Sequence, residues 1–211
     1  MDRSAISLRE LKKARTKVAL YEASLLLIGD KMFRDMMLDD ICRKAEISRV
    51  TFFKFFQKKE DLLVYFMRVW LTERIIEIEA EGTRGFSVIQ HVLNKVAEEA
   101  EERAGLMPSL ISFLAEMNMH PCMPELSEAE VHLLFPGHEE VGAQTPDMYK
   151  LFHRCMTEAD TDGKLRKEFT VETAVKVLFT VFYGAFLTAQ LYSSKDIKGF
   201  YNTHLQLLEH R

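Results

Sequence analysis

The amino-acid sequence predicts an all-α protein, and three observations carry that prediction. Apolar residues return every three to four positions through nearly every segment, the period of a helix with one buried side. No stretch alternates apolar and polar residues for long enough to make a half-buried strand. The nine glycines and five prolines fall mainly between the periodic segments, where they end one helix and begin the next. With 211 residues, 47% of them apolar and 28% charged, the chain can bury a sizeable core.

The elements follow in order. Leu11, Ala14, Val18, Tyr21, Leu25 and Ile28 form one apolar stripe on a helix over 8–29, closed by Gly29. A short helix over 38–45 opens with Asp39 and Asp40, where the helix dipole favours acidic side chains. Glu46-Ile47-Ser48 make a turn, and Ser48 is the N-cap of a third helix over 49–55. A long helix over 60–81 turns Leu62, Leu63, Phe66, Val69, Trp70 and Ile76 inward, and Gly82 and Gly85 punctuate its end. Further helices are expected at 87–103, 106–118, 126–135, 146–160, 171–192 and 195–209. The stretch 136–146, with Gly137 and Gly142, reads as an exposed loop.

Composition excludes several classes. Cys42, Cys122 and Cys155 are scattered and odd in number, which is no disulfide scaffold and points to a reducing cytoplasm. The charged N-terminal stretch and the short run Leu25–Ile28 do not make a signal peptide. The apolar stretch Val177–Leu191 is interrupted by Thr180, Gly184, Thr188 and Gln190 and falls short of the ~20 residues that cross a bilayer. Neither a secreted nor a membrane-spanning protein is expected. The net charge of −4 conceals an asymmetry. Met1–Arg68 holds 15 Lys+Arg against 10 Asp+Glu, whereas the remainder holds 13 against 22. A basic head on an acidic body suggests that only the head meets a polyanion.

That head has the spacing of a helix-turn-helix: short helix, three-residue turn, N-capped short helix. Ile41, Ala45 and Ile47 pack between its two helices. Phe52 and Phe56, four apart, turn inward, leaving Arg49, Val50, Thr51, Phe53 and Lys54 on a face that fits a major groove. At these residues a family resemblance emerges. Leu38–Leu63, LDDICRKAEISRVTFFKFFQKKEDLL, resembles the DNA-binding signature of the TetR family of bacterial transcriptional regulators, roughly D-I-A-x-x-A-G-V-S-x-G-T-F-Y-x-Y-F-x-S-K-E-D-L. The close match spans residues 8–63, and the later helices agree in size and pattern only.

The resemblance implies a helix-turn-helix domain over 1–57 and a helical ligand-binding and dimerisation domain over 58–211. It also implies a homodimer on a palindromic double-stranded operator, a repressor role, no enzymatic activity and no cofactor. Carried over residue by residue, Arg49, Val50, Thr51, Phe53 and Lys54 fall where the family meets bases and phosphates, and Lys59 where it meets the backbone. Departures matter too. Glu46 stands for the turn glycine and Val50 for the recognition-helix glycine. Phe53 and Phe55 replace tyrosines and lose hydroxyl donors, Lys58 replaces the capping serine of helix four, and Met36-Met37 replace a polar cap. DNA contact is therefore expected to lean on Arg49, Lys54, Lys58 and Lys59.

In the body, residues 171–192 are apolar nearly all round, with Gly184, Ala185, Thr188 and Ala189 as a patch for close approach. Together with Phe200, Tyr201, Leu205 and Leu208, they resemble the family's dimerisation surface; the core of a monomer would show the same pattern. Phe66, Trp70, Met107, Phe113, Met117, Phe152, Met156, Phe179 and Tyr183 are candidates for the wall of an apolar effector cavity, because methionine adapts to irregular shapes. Plain core is the alternative, which leaves a helical DNA-binding protein governed by a protein partner, or unregulated. No metal site is expected. His120-Pro121-Cys122 and His153-Arg154-Cys155 lack zinc spacing, and His138-Glu139-Glu140 lacks the second histidine of a metalloprotease helix. The half calcium loop at Glu158–Gly163 has Phe169 where a bidentate Glu is needed.

Overall fold

The computed structural model of the chain describes residues 6–117 and 122–210. Among these are eleven α-helices, one 3-10 turn (Phe33–Asp35) and no β-strand, so the protein is all-α. The helices are α1 Leu8–Ile28, α2 Leu38–Lys44, α3 Arg49–Phe52, α4 Asp61–Glu81, α5 Phe86–Glu102 and α6 Leu106–Met117. They continue with α7 Glu128–Leu134, α8 Glu139–Ala143, α9 Met148–Thr161, α10 Val171–Leu191 and α11 Ile197–Leu205. The chain divides into two compact units: Met1–Ile76 with Glu102–Pro146, and Glu77–Glu101 with Asp147–Arg211.

In the first unit, α1 packs on α2 and α7, and α2 on α3. A capping box starts α1: Ser7 Oγ accepts from the Glu10 N–H at 3.2 Å, and the Glu10 carboxylate accepts from the Ser7 N–H at 3.0 Å. After α1 the chain is pinned to the start of α6. The Gly105 N–H donates to the Gly29 carbonyl at 2.9 Å, and a Cβ on Gly105 would overlap the Lys31 carbonyl. Only glycine permits that approach. Ser109 Oγ then accepts from the Phe33 N–H at 2.7 Å, fixing the 3-10 turn whose Phe33 is buried.

The expected loop over 136–146 is corrected: it contains α8. Five residues are too few to show a helical period, and packing supplies the stability instead. Gly142 is buried, and a Cβ there would press on Phe135 and Val131 of the preceding segment.

In the second unit, α10 packs against α9 and α11. At 21 residues α10 is long and apolar enough to cross a membrane by length and composition, which corrects the expectation that this stretch falls short. The extra length comes from Val171–Lys176, and the helix buries Val175, Leu178, Phe182 and Phe186 within the unit. Tyr201, Leu205 and Leu208, expected on a dimer surface, are likewise buried inside this unit, and the Tyr201 hydroxyl donates to the Phe182 carbonyl at 3.0 Å. The His210 N–H donates to the Lys164 carbonyl at 2.7 Å and ties down the C-terminal stretch.

Candidate nucleic-acid interface

The turn between α2 and α3 is built by backbone hydrogen bonds. The Glu46 N–H donates to the Arg43 carbonyl at 3.1 Å and the Ile47 N–H to the Cys42 carbonyl at 2.9 Å, the paired bonds of a Schellman cap. This cap needs a left-handed residue, and Glu46 supplies it at φ +57 where glycine is the usual choice. Ser48 then caps α3, its Oγ accepting from the Thr51 N–H at 3.2 Å. Regular helix ends at Phe52, short of the expected 55, but tight turns continue through Phe56, whose N–H reaches the Phe52 carbonyl at 3.0 Å.

Aromatic packing sets which way this segment faces. Phe52 and Phe56 are 0% and 5% exposed with ring centroids 5.4 Å apart. The Phe56 ring meets Tyr65 of α4 edge-on at 5.8 Å, and Tyr65 meets Tyr21 of α1 at 5.2 Å. With that side held, Val50 and Phe53 stand 72% and 51% exposed, and Arg49 and Lys54 point outward beside them. Thr51 and Phe55 are half-buried. Arg49 pairs with Asp39 at 3.3 Å, but both are exposed, so exchanging that pair for a phosphate or a base edge costs little.

The lysines that follow differ from one another. Lys58 is exposed, its ammonium 5.7 Å from the centre of the Phe113 ring. The missing serine cap of α4 is replaced from within: the Asp61 carboxylate accepts from the N–H groups of Gln57 and Lys58, at 2.8 and 3.1 Å. Lys59 departs from expectation. Its ammonium donates to the carbonyls of Phe33, Arg34 and Met36 at 2.9, 2.9 and 2.7 Å, which occupies all three donors. No N–H remains for a DNA phosphate in this arrangement.

Two buried groups absent from the sequence reading tie the head to later helices. Lys17 of α1 meets Glu130 of α7 at 2.7 Å, and the Tyr65 hydroxyl donates to the same carboxylate at 2.9 Å. Burial opposes ionisation of Glu130, yet Lys17 and Ser127 outweigh it and hold the carboxyl below its ordinary range. Ser127-x-x-Glu130 is a capping box, a signal legible in the sequence. The second group is Arg68 of α4, fully buried.

The candidate cavity residues divide between the units. Phe66, Trp70, Met107 and Phe113 are buried in the first, while Met117, at the end of α6, is exposed. Arg74 lies 5.1 Å from the centre of the Trp70 ring. In the second unit Phe152 and Met156 are fully buried, Phe179 and Tyr183 are half-buried, and Phe152 and Phe179 lie 5.1 Å apart. Burial pushes the Tyr183 hydroxyl up to about 12 and the Cys155 thiol to about 12. His120 and Pro121 lie outside the described residues, so only Cys122 of that His-x-Cys pair is placed, and it is exposed.

No protein-family model matches the chain, and no curated protein sequence does. Solved structures do. E. coli NemR in its reduced form is 16% identical at a TM-score of 0.59, over 92% of this chain and 98% of that one. A putative regulator of the TetR/AcrR family is 13% identical at 0.58, over 92% and 97%. Thermus thermophilus FadR, a TetR-family transcriptional repressor in complex with lauroyl-CoA, is 20% identical at 0.53, over 90% and 92%. In fold, as in the sequence of its helix-turn-helix, this chain resembles the TetR/AcrR transcriptional regulators.

Proposed function

We propose that the chain is a DNA-binding transcriptional regulator of the TetR/AcrR type, a cytoplasmic homodimeric repressor released from its operator by a small apolar ligand. The observation that carries this reading is the outward face of the N-capped segment after Ser48. Arg49, Val50, Phe53 and Lys54 are exposed there because Phe52 and Phe56 hold the other side down. Residues 1–57 act as the reading head and 58–211 as the regulatory and dimerising part. Arg49, Val50, Thr51 and Phe53 meet base edges and sugars; Lys54, Phe55 and Lys58 lie along the backbone. Lys59 acts through the 3-10 turn it holds.

Exposed Leu187, Leu191 and Tyr192 at the end of α10, with Leu207 beyond α11, support an apolar dimer contact within the second unit. The ligand contacts proposed are the aromatic and methionine side chains named above. A structural neighbour that holds lauroyl-CoA supports an apolar effector. Duplexes selected by the protein from a random pool, then assayed by mobility shift, test the reading. Wild type retains palindromic duplexes, and Arg49→Ala and Lys54→Ala lose them while eluting at the dimer size. Unchanged affinity in both variants overturns it.

A further inference from the structure

We propose that the effector carries an anionic group, carboxylate or phosphate, and that Arg68 is the residue that binds it. The proposal rests on the effector reading above and gives that ligand a chemical class.

Arg68 is 0% exposed and is the largest fully buried side chain among the described residues. Its guanidinium donates to Thr72 Oγ1, one turn along α4, and to the Gly142 carbonyl of α8 at 2.7 Å. Those two bonds engage two of its five N–H groups. The Nε–H is buried with no acceptor among the described residues. Arginine places its donors in a planar fork that matches a carboxylate or phosphate, so a free Nε–H is half of such a grip.

Charge points the same way. Among the described residues no carboxylate reaches ion-pair distance of Arg68. The acidic group that influences it, Glu130, is already held by Lys17 at 2.7 Å, by the Tyr65 hydroxyl at 2.9 Å and by Ser127. Half-buried Lys17 with buried Glu130 and Arg68 thus form a set with one positive charge in excess, and the fully buried member without a carboxylate partner among the described residues is Arg68. Burial accordingly weakens Arg68's hold on its proton. A buried charge without a counter-charge is costly to keep, and an anion would neutralise it. Bracing α8 accounts for the bond to Gly142; it leaves the Nε–H and the surplus charge unexplained. A wholly apolar ligand would leave both as they are.

The test titrates the full-length protein with sodium dodecanoate, dodecyl phosphate and 1-dodecanol, which share a chain and differ in head group. All are used below their aggregation limits and read by calorimetry. Wild type should bind at least one of the two anions roughly tenfold more tightly than the alcohol, and which anion is tighter separates carboxylate from phosphate. Arg68→Met should erase the preference and Arg68→Lys keep part of it. Equal binding of alcohol and anions, no binding of either anion, or an intact preference in Arg68→Met overturns the proposal. The wild-type comparison decides even if the methionine variant does not fold. Operator binding without probe is measured separately: if the alcohol alone binds and releases DNA, the effector reading stands and the anionic class falls.

Discussion

Lys54 and Lys59 lie in the same basic head and direct their charges in opposite ways. Lys54 stands in solvent beside Arg49, Val50 and Phe53, on a segment with buried aromatic rings behind it. Lys59 is turned into the protein, its three donors shared among three carbonyls of the 3-10 turn. Lys17 and Arg68 belong with Lys59, since both are committed to interior acceptors. The net charge of a segment therefore overstates what it offers a polyanion. Part of this head's charge holds α1, the 3-10 turn, α4, α7 and α8 in register, and only the remainder faces outward.

The sharpest way to break this division is at Glu130. Glu130→Ala leaves the Lys17 ammonium and the Tyr65 hydroxyl without their acceptor, and should cost roughly 3–5 kcal/mol in urea unfolding. The pH dependence has a definite sign. Because the folded carboxyl titrates below its unfolded value of about 4.3, its contribution is full above that value and lost as pH falls through the lowered one. Glu130→Gln should remove that part of the acid dependence. Wild-type and Gln curves of equal slope would show that the ion pair does not form in solution.

Lys59→Met comes next, with an expected loss of about 2–3 kcal/mol for hydrogen bonds from a charged donor and an unchanged salt slope of DNA binding. Unchanged stability with a shallower slope would return Lys59 to the phosphate-contacting group. Lys54→Ala should do the reverse: stability within about 0.5 kcal/mol of wild type, loss of the duplexes in the mobility shift, and a log–log slope shallower by about one for the residual binding that low salt restores. A small gain in stability, with DNA binding unchanged, is expected at Glu46. Glu46→Gly should stabilise by about 1 kcal/mol, because glycine takes the left-handed conformation at φ +57 without steric cost. Thermal unfolding at neutral pH would measure it.

Much of the head was legible before the structure. The apolar stripe from Leu11 to Ile28, the cap at Ser48 and the inward pair Phe52 and Phe56 are local patterns, and local patterns survive folding. The position of Lys59 in the motif says where its Cα lies, not which acceptors its long side chain reaches, so its three carbonyl partners carry no local signal. Lys17 lies beside the apolar stripe of α1, between Ala14 and Tyr21, and that spacing was the signal for a half-buried cation. Arg68 carried no such signal: its position on α4 does not reveal that a carbonyl on α8 awaits it, 74 residues away. The helix α8 was illegible for the same reason, since it exists through contacts with distant residues.

By itself the sequence determined the longer helices, the cap at Ser48, the three-residue turn before it and the outward face of the segment that follows. Each of these depends on residues within about one or two helical turns of one another. Tertiary structure alone decided which cations remain outside, that α10 packs between α9 and α11, and that the Arg68 guanidinium is buried with no carboxylate beside it among the described residues. Those outcomes depend on which distant carbonyl or carboxylate arrives beside a charge, and periodicity along the chain carries no record of that.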